Sequence, residues 1–283
     1  MGKKVKILRE TMKIAEEGKY LCKEKEVPLP FDGRQIKNVK LYSAEQMSQL
    51  LEKPVTENCP AYHFCIVLRN QDTLEAAFEL NRKRRENEKP VLVLNFANPH
   101  RPGGGIRAIP RTQEEHLCVK TTVLSSLETE KAWSFYQSNL DAGTQAQTDT
   151  ILFSPNTMVI RNPDLSLRED PFPVSVMTVS APIASRMEPE EFHDLEEILA
   201  HRIRGMLRAA ITEGYTRLVL GAWGCGNFGN DPVTVAKLFH NALHETVHNC
   251  TIAGYFEDVV MAVLDTSVEQ IRWNSFAAYF AVE

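Results

Sequence analysis

From residue 61 onward the chain alternates between short apolar runs and longer stretches in which apolar residues recur every three or four positions. The runs at 62–68, 91–96, 157–160, 174–181, 217–222 and 259–264 are rich in Val, Leu and Ile. They have no two-residue period, so they predict strands buried on both faces. Helical spacing fills most of the intervals: 72–87, 113–139 in one or two pieces, 190–213, 232–249 and 267–281. This alternation predicts an α/β fold, a mostly parallel or mixed sheet with helices on both faces. Ligands of such sheets sit outside the carboxyl ends of the strands.

Residues 1–60 follow another pattern. Ile7, Leu8, Met12 and Ile14 predict a helix that stops at Gly18, and the polar stretch after it is broken by Pro28, Pro30, Gly33 and Pro54. The expected division is an accessory segment, 1–60, packed on a core of residues 61–283.

With 283 residues, 43% of them hydrophobic, the chain can bury one large core. It carries 32 Lys and Arg against 37 Asp and Glu, a net charge of −5, and residues 1–60 hold 12 of the cations against 9 of the acids. The core is therefore the more acidic part, which argues against a wide basic surface for unmodified nucleic acid. An anionic ligand would have to be held by backbone dipoles or a few placed side chains. The six cysteines are scattered without a Cys-x-x-Cys pair, and no secretory leader is evident, so no disulfide framework is expected and the cytoplasm is the expected compartment. No run approaches the roughly 18 apolar residues of a membrane span, so no membrane partner is expected.

Three constellations carry candidate chemistry. In the first, the strand ending at Asn98 is followed by Pro99-His100-Arg101-Pro102, then Gly103-Gly104-Gly105, and after seven more residues Gln113-Glu114-Glu115. Three glycines let a ligand approach main chain with no Cβ in the way, although a flexible loop would also use them. The adjacent carboxylates suit acid/base work, or simply complement a helix start. Neighbouring helical residues point about 100° apart, so one acid could orient a ligand while the other does chemistry. If both are partly buried, repulsion raises at least one pKa towards what a general acid needs.

In the second, a strand at 217–222 runs into Trp223-Gly224-Cys225-Gly226-Asn227-Phe228-Gly229-Asn230-Asp231-Pro232. The glycines fit Gly-x-Gly-x-x-Gly, Asp231 and Pro232 suit a helix start, and the whole is a diphosphate cradle or a tight strand-to-helix turn. It falls too late in the chain for a dinucleotide-binding unit, which leaves the diphosphate without the nicotinamide. Cys225 has no neighbouring His to activate it and reads as a small loop residue. In the third, His244-Glu245-Thr246-Val247-His248 fits His-Glu-x-x-His, which would bind zinc if both histidines shared one helix face.

Taken together, these residues resemble the bacterial-type poly(ADP-ribose) glycohydrolases, a macrodomain-related family marked by Gly-Gly-Gly, six to eight residues, then Gln-Glu-Glu. The resemblance extends over most of the chain, through Phe153-Ser154-Pro155-Asn156 and the 220–232 loop. It implies a three-layer α/β/α macrodomain-like mixed sheet and metal-free, cofactor-free hydrolysis of the ribose–ribose O-glycosidic bond of poly(ADP-ribose), releasing ADP-ribose. By position, Glu115 would be catalytic, and Glu114 and Asn98, with Asn95 in reserve, would hold the ribose. Gly103 to Gly105, Gln113 and the 224–229 loop, with Cys225 and Asn227, would embrace the substrate, and Phe228 would pack on its adenosine side. A non-catalytic ADP-ribose reader, a mono-ADP-ribosyl hydrolase and a zinc hydrolase using His244 and His248 are the alternatives.

Overall fold

The computed structural model describes residues 3–55, 59–107, 112–247 and 249–282. Helix α1 (Lys3–Glu17) stops at Gly18, which turns the chain at φ +68° into the hairpin β1 (Lys19–Cys22) and β2 (Lys25–Pro28). Helix α2 (Gly33–Ile36), strand β3 (Lys40–Tyr42) and helix α3 (Ala44–Glu52) follow, and both helices open on capping boxes, Asp32 with Gln35 and Ser43 with Gln46.

The alternating part then runs β4 (Cys65–Arg69), α4 (Thr73–Asn81), β5 (Val91–Phe96), α5 (Gln113–Lys120), α6 (Val123–Leu127), α7 (Glu130–Ala142), β6 (Ile151–Arg161) and β7 (Leu167–Val179). After it come α8 (Leu195–Thr212), β8 (Arg217–Leu220), α9 (Pro232–His244), the two-residue pair β9 (Thr246–Val247) and β10 (Cys250–Thr251), β11 (Asp258–Ala262), α10 (Ile271–Ala277) and β12 (Ala281–Val282).

Eight strands form one mixed sheet in the order β12-β4-β11-β8-β5-β7-β6-β3. The first six are parallel; β6 runs antiparallel to β7, and β3, antiparallel to β6, returns to the common direction. Successive residues of the central strands serve opposite faces. Leu92, Leu94, Leu218, Leu220, Val259 and Met261 pack with α3, α8, α9 and α10, whereas Val91, Val93, Val219 and Val260 pack with α1 and α4 to α7. Both faces are covered, which is why these strands read as continuous apolar runs. Their carboxyl ends meet at one edge of the layer, where the loops after β4, β5, β8 and β11 gather.

Most helices are shorter than the periodicity predicts, whereas β6 and β7 extend well before the runs at 157–160 and 174–181. The 113–139 stretch breaks into three helices, and 190–213 begins as a 3-10 segment, Pro189–Asp194. Segment 1–60 does more than lie on the core: β3 forms the sheet's edge beside β6, and α1 is tied down by Thr11, whose Oγ1 donates to Val119 O at 3.0 Å and accepts from Arg161 Nε at 2.9 Å. A single disulfide joins Cys59 and Cys250, 191 residues apart, while Cys22, Cys65, Cys118 and Cys225 are free. That corrects the expectation from spacing by one cross-link, made by chain segments that meet only after folding. No helix among the described residues is long and apolar enough to cross a membrane.

Candidate active site

A cleft of about 550 Å³ opens at the carboxyl ends of the central strands. Asn98, Gly104, Gln113, Glu114 and Glu115 line one side, and Gly224, Gly226, Asn227 and Phe228 another. The two glycine loops, 120 residues apart in sequence, therefore share one cavity. Gly103, Gly105, Cys225 and Gly229 belong to the same loops but do not line it.

The carboxylates are placed by the start of α5. Glu115 is the third helical residue after the cap Thr112, so its Oε2 folds back to accept the Thr112 N–H at 3.0 Å, while its Oε1 accepts the Gly105 N–H at 2.8 Å. Glu114 is more deeply buried, at 2% exposure. Its Oε2 accepts the Asn98 N–H at 2.8 Å and its Oε1 faces Asn95 Nδ2 at 3.3 Å. Although adjacent on the helix, the two acids converge: a Cβ on Gly104 would lie 3.1 Å from Glu114 Oε2 and 3.5 Å from Glu115 Oε1. The 103–107 turn wraps the first turn of α5, so one glycine meets both carboxylates. Gly103 and Gly104 need φ of +67° and +55° to make that turn, which Gly104 N closes on Arg101 O at 3.0 Å.

Burial pushes the Glu114 carboxyl up to about 8; the hydrogen bonds from Asn98 and Asn95 pull the other way, and the neighbouring Glu115 adds a smaller upward push. Desolvation, rather than the mutual repulsion expected from sequence, is thus the main cause.

Other candidates take different places. The Gln113 amide is spent inside the protein, donating to Leu94 O at 2.7 Å and Thr73 Oγ1 at 3.2 Å and accepting the Phe96 N–H at 2.9 Å. It straps α5 to the ends of β5 and α4. Asn98 uses its Oδ1 to accept the N–H groups of His100 and Arg101 at 2.9 and 3.0 Å. Asn95 is fully buried behind Glu114 and also donates to Thr178 Oγ1 at 3.2 Å. Burial raises the Cys225 thiol to about 12, which suits a small loop residue and not a nucleophile.

In the second loop Gly224, at φ +76°, leaves room for Asn230, whose Nδ2 donates to Gly224 O at 3.0 Å and Pro182 O at 2.8 Å. Gly226 is open, with nothing within 4 Å of where a Cβ would be. Asp231 caps α9 by accepting the Thr234 N–H at 2.8 Å, as its sequence position predicts.

The zinc alternative loses its geometric premise. Helix α9 ends at His244, Glu245 and Thr246 leave helical conformation, and His248 lies outside the described residues. The spacing of four therefore does not put two histidines on one helix face.

The cleft also takes in residues that pattern did not mark: Gln71, Asp72 and Leu74 at the start of α4, with Leu264 and Arg272 after β11. The Asp72-to-Glu75 capping box was readable as a helix start, but nothing local joined it to Arg272, 200 residues away.

A three-layer α/β/α sheet carrying paired acids and a glycine cradle at its strand ends defines a macrodomain-like glycosyl hydrolase. The family model "Microbial-type PARG, catalytic domain" matches residues 8–162. The poly(ADP-ribose) glycohydrolase structure from Thermomonospora curvata is 32% identical, with TM-score 0.88, covering 98% of this chain and 99% of that one. The same enzyme bound to the inhibitor ADP-HPD gives 0.85 at 32% identity, with the same coverage. The Deinococcus radiodurans poly(ADP-ribose) glycohydrolase in complex with ADP-ribose gives 0.80 at 31% identity, covering 89% of this chain and 98% of that one. No curated protein matches significantly. The chain belongs to the microbial-type poly(ADP-ribose) glycohydrolases and is an enzyme of that activity.

Proposed function

We propose that this chain releases ADP-ribose from poly(ADP-ribose), with Glu115 as the group that moves the proton and Glu114 and Asn98 as the groups that hold the ribose being cleaved. The observation that carries this is the meeting of both carboxylates at Gly104, in the cleft that the second glycine loop also lines.

The diphosphate of the bound unit goes to the main-chain amides around Gly226 and Asn227, which need no basic patch. Its negative charge lies beside the reacting centre, and Glu115 brings the proton. Glu115 gives that proton to the leaving ribose oxygen as the C1–O bond breaks and positive charge gathers on the ring, where the diphosphate offsets it. Water then attacks C1 and returns its proton to Glu115. This uses one carboxyl where most glycosidases use two. Glu114, neutral at pH 7, sets no second negative charge beside Glu115 and can donate to a ribose hydroxyl. With its Oδ1 spent on the turn, Asn98 offers the ribose its Nδ2.

Adenosine goes to the far end of the cleft, between the start of α4 and Leu264 and Arg272, with Phe228 packing beside it. Residues 1–60 brace the catalytic core through α1 and β3. Incubation with purified polymer beside a mono-ADP-ribosylated protein tests the reading. ADP-ribose should appear from the polymer, and binding without release would reduce the chain to a reader of ADP-ribose groups.

A further inference from the structure

Two arginines and a histidine stand together just outside the cleft, beside the glycine loops that line it. Arg101 closes the glycine turn through its carbonyl, while its side chain is exposed. Arg186 is exposed at the end of the 3-10 turn Ala184–Arg186, which backs the second loop: Ser185 N donates to Phe228 O at 2.9 Å and Ser185 Oγ to Asn227 O at 3.1 Å. His100 lies between them, close enough that both guanidinium groups, after burial, depress its pKa. The cluster thus joins the rims of the two glycine loops, yet none of the three lines the cleft.

Among the described residues none of these cations forms an ion pair. Of the acids in adjoining segments, Glu128 pairs with Arg107, and Glu191 accepts the Glu188 N–H at 3.0 Å. Two unpaired guanidinium groups at the rims of both loops can take an anion from a substrate that carries a diphosphate in every unit. The bound unit's own diphosphate is already served by amides inside the cleft. What lies outside is the chain that leaves.

We infer that Arg101 and Arg186, with His100 between them, receive the diphosphate of the adjoining ADP-ribose unit, the one on the leaving side of the scissile bond. This rests on the activity described above and makes polymer, rather than a single ADP-ribose on a protein side chain, the substrate the site is shaped for.

The test compares the Arg101→Gln/Arg186→Gln double variant with the parent on two substrates. One is poly(ADP-ribose); the other is ADP-ribose linked through the same oxygen to an uncharged alcohol. On polymer at low salt kcat/KM should fall about tenfold, as two exposed charge pairs warrant, and the gap should close as salt rises. On the uncharged substrate, and in ADP-ribose affinity by calorimetry, the change should stay within about twofold. Arg101→Lys/Arg186→Lys should restore most of the loss. Equal loss on both substrates, or none on polymer, would overturn the inference. Failure of the parent itself to release ADP-ribose from polymer would instead overturn the activity on which it rests.

Discussion

The two glycine loops face each other across one cleft, yet their glycines are there for different reasons. In the first loop the missing side chains make room for the protein's own acids. A Cβ on Gly105 would sit 2.7 Å from Glu115 Oε1, the oxygen that the Gly105 N–H holds. In the second loop Gly224 makes room for scaffold, since a Cβ there would sit 2.6 Å from Asn230 Nδ2 and 2.7 Å from Ala181 Cβ, and Gly226 makes room for nothing in the protein at all. One loop leaves space for a carboxylate pair; the other leaves its main chain uncovered at Gly226. A glycine count equates them, and only neighbours tell them apart.

Substitutions can break this contrast. Glu115→Gln should cost about 10²–10⁴-fold in turnover, the usual worth of a placed acid/base, while ADP-ribose affinity by calorimetry stays within about tenfold. Activity that survives would move the role to Glu114 or elsewhere. Gly105→Ala should act like a weaker form of the same change, because the backbone there is not left-handed and only the Glu115 carboxyl must shift. Turnover should fall about 10- to 100-fold with KM and thermal midpoint nearly unchanged, since an ångström of misplacement is worth about that much.

Gly224→Ala should do the reverse, lowering stability by about 1–3 kcal/mol in urea unfolding because φ is +76° and two fixed neighbours crowd the site. Glu114→Gln sharpens the electrostatic side. The folded-state pKa, about 8, is raised above the ordinary 4.5, so the folded protein holds a proton the unfolded chain has lost. Parent stability should therefore fall as pH rises from about 4.5 to about 8, by up to a few kcal/mol, and the Gln variant should lack that decline. Equal pH slopes for the two proteins would show that Glu114 is not held neutral. Gly226→Ala should be mildest, leaving stability intact and weakening ADP-ribose by about tenfold at most, seen by calorimetry.

Much of this was readable without coordinates, and unevenly. Strand β5 falls on the predicted 91–96, because a strand buried on both faces needs apolar residues at every position. Edge strand β3, three residues long and only partly buried, carries no such signal. The helix expected over 232–249 stops at His244, and with it goes the apparent metal motif, since periodicity marks a helix face but not where the face ends. Gln113 sits within a recognisable signature, but its work as a strap to Leu94, Thr73 and Phe96 depends on partners 17 to 40 residues away.

By itself the amino-acid sequence determined the α/β alternation, the two glycine loops, the acid pair and the family they belong to. These are local facts: the two periodicities of helix and strand, positive φ at glycine, and the short spacing that sets Glu115 over its own helix cap. Tertiary structure decided the rest. It brought loops 120 residues apart into one cleft, raised the Glu114 carboxyl by burying it, gathered Gln71, Leu264 and Arg272 in the same cavity, and put Arg101 and Arg186 both close enough to act on His100. Burial and long-range proximity depend on the whole packed chain, and no window along the sequence contains them.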